Sequence, residues 1–176
     1  MPGQRNLEEV LRRFELPLLQ YATQIVGSRD RAKDVVQDTF VKFQRNGEIP
    51  PDKTATWLFT VCRNRALNAC RDEQRLVFLA EPLMETQAIE QPLPFEHIQQ
   101  AEAKGFLMRI VATLPPRQQE VLQLKFQNDL SYAQIAEITG SSQNSVGVLI
   151  HIALRTLRRR YRDASKDFVP FTSKKR

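Results

Sequence analysis

The chain has 176 residues, 41% of them hydrophobic, which leaves room for one domain or two small ones with a buried core. Its net charge of +6 favours a polyanionic partner and is unevenly spread: residues 153–176 hold nine Lys/Arg against two Asp, whereas residues 76–98 hold four Glu and no Lys or Arg. No apolar run is long enough to span a membrane, and the polar start MPGQRNLEEV does not read as a signal peptide, so a cytoplasmic protein with no membrane partner is expected.

The first predicted helix covers residues 5–26, with Leu7, Val10, Phe14, Leu18, Tyr21 and Ile25 among the apolar residues at three- and four-residue spacing. Pro17 falls inside that pattern and is expected to kink or break it, because it lacks an N–H and crowds the preceding turn. Gly27-Ser28 ends this helix, and Ser28 is placed to cap the next, with Asp30 in the first turn. That second helix, about 29–45, carries Ala32, Val35, Val36, Phe40 and Phe43 on one face and Asp34, Gln37 and Asp38 on the other. Two carboxylates four residues apart repel by roughly a few tenths of a kcal/mol. Such a face is either solvated, with Lys42 helping Asp38, or a docking surface for a basic partner.

Residues 45–54, RNGEIPPDKT, read as a loop, and a long helix follows over about 54–75. Trp57, Leu58, Val61, Ala66 and Leu67 are expected to face a core, while Phe59 interleaves with Arg63, Asn64, Asn68, Arg71 and Arg75. An aromatic ring among Arg and Asn suits single-stranded nucleic acid, since bases stack on rings and amides read their edges. The competing reading is a basic rim around a buried core, and Trp57 itself is expected in that core. Cys62 and Cys70 share this helix; at 1.5 Å rise per residue they would stand roughly 12 Å apart, too far for a disulfide, and they lack further ligands for zinc. Residues 76–96, with Pro82, Pro92, Pro94 and no sustained period, read as a mobile linker.

Helices are expected again over about 96–113 (Ile98, Ala101, Phe106, Ile110, Val111) and 116–127, the latter opened by Pro116 and facing a core with Val121, Leu122, Leu124 and Phe126. Next comes LSYAQIAEITGSSQNSVGVLIHIALRTLRRRY, residues 130–161. Ser131 and Gln134 form a capping-box pair with Leu130 and Ile135 as a hydrophobic staple, and Gly140 supplies a left-handed stop. A further helix then carries Val146, Leu149, Ile150, Ala153 and Leu157 on one face. Small Ala136, Gly140 and the anchors Val146 and Leu149 have helix-turn-helix spacing, in which the second helix enters the DNA major groove. An ordinary helical hairpin has the same spacing. The basic run Arg155, Arg158, Arg159, Arg160 and Arg162 decides for DNA, because phosphates must be neutralised beside a reading helix. The expected fold is all-α: two small helical domains joined by a flexible linker.

Three stretches, DRAKDVVQDTFVKF (30–43), TWLFTVCRNRALNACR (56–71) and LPPRQQEVLQLKFQNDLSYAQIAEITGSS (114–142), resemble in order and spacing regions two and four of bacterial sigma factors, in the compact extracytoplasmic-function form. The resemblance implies region two over 5–75, a linker over 76–96, region four over 97–162 and a basic tail over 163–176. It further implies that Asp34, Gln37 and Asp38 meet the clamp helices of core RNA polymerase, and that loop 45–54 holds a flipped base of the melted minus-ten element. Phe59 and Asn64 would touch the non-template strand, with Arg63, Asn68 and Arg71 beside them. Residues 114–126 with the helix-turn-helix would bind the minus-thirty-five duplex and the polymerase flap. Two elements about 17 base pairs apart lie roughly 58 Å apart, and a linker of about 21 residues reaches at most roughly 70–75 Å. The implied partners are core polymerase, promoter DNA and, as a candidate, an anti-sigma protein.

Where relatives carry basic and small polar residues after the position of Val146, this chain has Gly147 to Ile152. By helical phase Val148, His151 and Ile152 face outward; His151 can bond a base edge, whereas Val148 and Ile152 can only touch thymine methyls or pack against a partner protein. Asn144 and Ser145 are placed to hold phosphate at the helix start, and Arg155, Arg158 and Arg159 along it. The competing function is a free-standing helix-turn-helix regulator, followed by a module that sequesters such factors. An enzyme is not expected, nor a cofactor or metal: His97 and His151 are isolated, and no nucleophile, metal or phosphate-loop spacing is present.

Overall fold

The computed structural model describes residues 2–46, 49–79 and 98–167, and every regular element among them is helical, the all-α class expected. Helices α1 (Pro2–Val26), α2 (Arg29–Arg45) and α3 (Pro51–Leu79) form the N-terminal half. Helices α4 (Ile98–Ala112), α5 (Pro116–Leu122), α6 (Tyr132–Thr139) and α7 (Gln143–Asp167) form the C-terminal half. The linker expected over 76–96 lies outside the described residues from residue 80 onward, as do His97 and most of the basic tail; residues 76–79 continue α3.

Helix α1 runs through Pro17 without the break its sequence suggests. Phe14 and Leu18 flank the proline and are buried, with Tyr21 one turn further on. Burying each such side chain contributes about 1.5–3 kcal/mol, together more than the roughly 3 kcal/mol that a mid-helix proline costs. Gly27, at φ +70°, stops the helix, its N–H bonding the Thr23 carbonyl at 2.9 Å. Ser28 is the N-cap of α2, as expected, but its hydroxyl makes no capping bond; only its carbonyl serves, accepting from the Ala32 N–H at 3.0 Å. The expected inner face of α2 is buried: Ala32, Val35, Val36, Phe40 and Phe43, with Thr39 among them.

Helix α3 begins at Pro51, earlier than the predicted residue 54. Proline suits the first helical position, Asp52 favours the positive end of the helix dipole, and the Thr54 hydroxyl donates to the Pro50 carbonyl at 3.0 Å. Its core face is also rotated from the expected one. Leu58, Phe59, Cys62 and Ala66 are buried, whereas Trp57, Val61 and Leu67 are half-buried, because α3 packs against α1, α2 and α6 together. Trp57 sits edge-on to Phe43 with ring centroids 5.8 Å apart. Cys62 and Cys70 are free thiols, turned toward the Leu18 and Ile25 carbonyls of α1.

In the second half, α5 passes into a single π turn, Gln123–Gln127, before the chain reaches α6. The wider turn alters the register of the predicted 116–127 helix. Val121, Leu122 and Leu124 remain buried, but Phe126, expected in the core, is 61% exposed. The helix-turn-helix forms as expected. Ser131 N–H donates to Gln134 Oε1 at 2.9 Å and Gln134 N–H to Ser131 Oγ at 3.2 Å, with Leu130 and Ile135 buried as the staple. Gly140 takes φ +65° at the turn.

The two halves touch. One continuous cluster of buried apolar residues runs from Leu18 and Phe59 in the first half to Val121, Leu124, Ile135 and Ile138 in the second, and α6 lies against α3.

Candidate nucleic-acid and docking surfaces

Three surfaces follow from this packing. On α2, burial of the Ala32–Phe43 face forces Asp34, Gln37 and Asp38 to the opposite side, where all three are exposed. Asp38 does not pair with Lys42 as anticipated. Its partner is Arg65 on the neighbouring helix, whose Nη2 donates to Asp38 Oδ2. Asp34 and Gln37 line up beside this pair as an acidic and amide stripe. A shallow groove of about 550 Å³ adjoins it, lined by Leu11, Leu19, Phe40 and Val41 with Gln37 at its edge.

On α3 the candidate residues, expected to interleave around Phe59 on one helix, divide between an exposed face and the core. Asn64, Asn68 and Arg71 lie on one exposed face, with Arg71 Nη1 donating to Asn68 Oδ1 at 3.5 Å. Phe59 is instead 1% exposed, its ring edge-on to Tyr21 at 5.3 Å, so it is a core residue in this conformation and no stacking platform. Arg63, one turn on from Phe59, is turned into the seam between the halves. Its Nε donates to Glu120 Oε1 at 2.7 Å and its Nη2 to Glu120 Oε2 at 3.4 Å. Tyr21 Oη donates to the same Oε1 at 2.7 Å. The physical reason is phase: on a 100° step Phe59 and Arg63 border the buried Cys62–Ala66 stripe, whereas Asn64 and Asn68 lie beyond it.

Burial in the seam raises the Tyr21 phenol above its usual range, and the Glu120 charge and hydrogen bond raise it further. For Arg63 burial alone would disfavour the charged guanidinium, but the hydrogen bond and charge of Glu120 more than offset it, and its pKa is raised. No local pattern pointed to Glu120, which belongs to α5 and meets partners on α1 and α3. Only an isolated acidic residue amid PRQQEVL hinted at a role.

On α7 the expected division holds in part: Leu149 and Leu157, expected in the core, and Ile152, expected to face outward, are all half-buried. Val146, Ile150 and Ala153 are buried, Val148 and His151 are exposed, and Ile152 is half-buried. Asn144 and Ser145 open the helix on the surface. Ser145 is partly committed to the helix start, its N–H donating to Ser142 Oγ at 3.1 Å. Arg155, Arg158 and Arg159 are exposed, but Arg160 is not available in the same way: it donates to the Thr113 carbonyl at 3.0 Å and to the Thr113 hydroxyl, tying α7 to the end of α4. Below this face lies an open apolar groove of about 910 Å³, walled by Leu107, Met108, Val111, Phe126, Leu157 and Tyr161. The outward turn of Phe126 helps to build it. Among the described residues no helix is long and apolar enough to cross a membrane.

Comparison with known proteins agrees with this layout. Residues 10–76 match the family described as Sigma-70 region 2, and residues 107–163 match Sigma-70, region 4. The chain is 27% identical over 170 residues to RNA polymerase sigma factor YlaC of Bacillus subtilis, covering 90% of this chain and 94% of that one. It is 29% identical over 144 residues to the ECF RNA polymerase sigma factor SigL of Mycobacterium tuberculosis, covering 80% of each. Its fold is similar to that of the sigma factor RpoE of Bartonella quintana, solved with the anti-sigma factor NepR, at a TM-score of 0.65 and 23% identity over 89% of this chain and 94% of that one. The chain therefore belongs to the sigma-70 family, in its extracytoplasmic-function group, and is a promoter-recognition factor that binds core RNA polymerase and promoter DNA to begin transcription.

Proposed function

We propose that these duties divide by helix. Asp34, Gln37 and Asp38 on α2 dock the chain on core polymerase. The stretch 45–54, from the end of α2 to the first turn of α3, with Asn64, Asn68, Arg71 and, once freed, Arg63 holds melted minus-ten DNA; Phe59 supports that face from beneath. Asn144, Ser145, Val148, His151, Ile152, Arg155, Arg158 and Arg159 on α7 meet the minus-thirty-five duplex, the arginines supplying phosphate contacts and His151 the one polar side chain at a base edge. The groove beside Phe126 and Tyr161 is the seat we assign to the polymerase flap, the partner that the family resemblance attaches to this module. Region two thus spans 5–75 and region four 97–162, joined by residues 76–96, in a non-catalytic factor of the cytoplasm. An anti-sigma protein is a further proposed partner, on the strength of the fold shared with RpoE, which was solved with one.

The observation that carries this reading is the α2 stripe: its three polar side chains are exposed together while the opposite face is buried. Replacing Asp34, Gln37 and Asp38 together by Ala should abolish co-purification with core polymerase while leaving duplex binding by the chain intact. Unchanged co-purification would remove these residues from the interface. Asn64→Ala should slow promoter opening by the holoenzyme without loss of duplex affinity; equal loss of both would count against the α3 assignment.

A further inference from the structure

We infer that α7 selects thymine by its C5 methyl group in the major groove, with Val148 as the contact and Tyr132 of α6 as a second apolar wall. This rests on the α7 reading above and names the base that such a helix prefers. The exposed strip of α7 runs through Asn144, Val148, His151 and Arg155, opposite the buried Val146, Ile150 and Ala153. Val148 is the apolar member of that strip and is 49% exposed. Beside it Gly147 has no side chain, and α6 fills the space: a Cβ on residue 147 would stand 3.6 Å from Tyr132 Cε2. The Tyr132 ring is itself 41% exposed. It is nonetheless held in place, because Lys125 Nζ lies over it at 5.7 Å from the centroid while donating to the Leu130 carbonyl at 3.2 Å.

The chemistry of this spot matches one feature of duplex DNA. Its surroundings are cationic: Lys125 stands against the ring, Arg155, Arg158 and Arg159 are exposed further along α7, and α7 has no acidic residue before Asp163. An apolar side chain among cations finds its complement where phosphates flank an apolar group. In the major groove that group is the thymine methyl. Val148 carries no hydrogen-bonding atom, so it cannot satisfy the edges of adenine or guanine, and it leaves the cytosine amino group without a partner. Thymine alone offers it a surface to bury. One methyl taken out of water changes affinity roughly fourfold.

The test uses the full chain and fully paired DNA. Duplexes enriched by the chain from a random-sequence pool are remade with uracil in place of each thymine in turn, which removes the methyl and keeps the base pairing. The change is made in the DNA, so the wild-type fold is untouched. At least one position should show a loss of affinity of roughly fourfold by anisotropy. That loss should shrink below about twofold in Val148→Ser and in Tyr132→Ala, and persist in Tyr132→Phe, which keeps the ring. No loss at any position overturns the inference and leaves the α7 assignment standing. A loss that persists in full in Val148→Ser overturns Val148 as the reader, and one that persists in Tyr132→Ala overturns the second wall. Enrichment of no sequence at all sinks the α7 assignment itself, and the choice of thymine with it.

Discussion

Helices α3 and α7 both carry arginine and polar residues beside an apolar stripe, yet they end in opposite situations. On α7 the reading residues lie opposite the buried Val146–Ile150–Ala153 stripe, so nothing packed beneath the helix reaches them. On α3 the buried stripe lies next to Arg63, and a carboxylate arriving from α5 takes that guanidinium out of solvent. A polar side chain stays available when it points away from the core. When it flanks the core, its long aliphatic stem and charge fit it for an interface.

That contrast breaks most forcefully at the apolar layer shared by the halves. Ile135→Ala, at a site with no exposure, should cost about 3 kcal/mol and weaken both halves together. Calorimetry that shows the first half melting unchanged would disprove a common core. Glu120→Ala should cost about 2 kcal/mol, below the usual figure for a fully buried pair because this one is partly solvated, and a denaturant midpoint measures it.

Alkaline pH probes the α3 side separately. The Cys62 thiol is pushed up by burial to about 12 from an ordinary 9.0. The unfolded chain therefore releases this proton first as pH rises. Stability from Cys62 is complete below pH 9 and declines between pH 9 and 12, by about 1.4 kcal/mol per pH unit. Titrating stability between pH 8 and 10 should show a steeper fall above pH 9 in the wild type than in Cys62→Ala, the slope left in the variant belonging to Tyr21, whose phenol ionises near 10.0 once unfolded.

Smaller effects belong to the α7 side. Ser131→Ala removes the capping box below the reading helix and should cost about 1 kcal/mol, read from the melting temperature. His151→Ala should move stability by less than about 0.5 kcal/mol, since its side chain is exposed. It should nonetheless weaken duplex binding, and a loss of stability instead would show that α7 is not the free face described.

Much of this was legible in the residues. The α2 stripe follows from a three- and four-residue period, and the helix-turn-helix from Ser131, Gln134 and Gly140, whose partners lie within a turn or two. The errors share a cause. Pro17 was tolerated because Phe14, Leu18 and Tyr21 hold α1 to its neighbours, and the Phe59 ring was claimed by Tyr21 from another helix. Phe126 was turned outward by a π turn that no local signal announced.

By itself, then, the sequence determined the helices, their caps and stops, and which side of α2 and α7 faces water, because those depend on hydrogen bonds and periodicities spanning only a few residues. Tertiary structure decided the fate of Arg63, Phe59 and Glu120. Each of those depends on which distant helix arrives beside it, and a charge or ring has no preference among partners until packing brings one within reach.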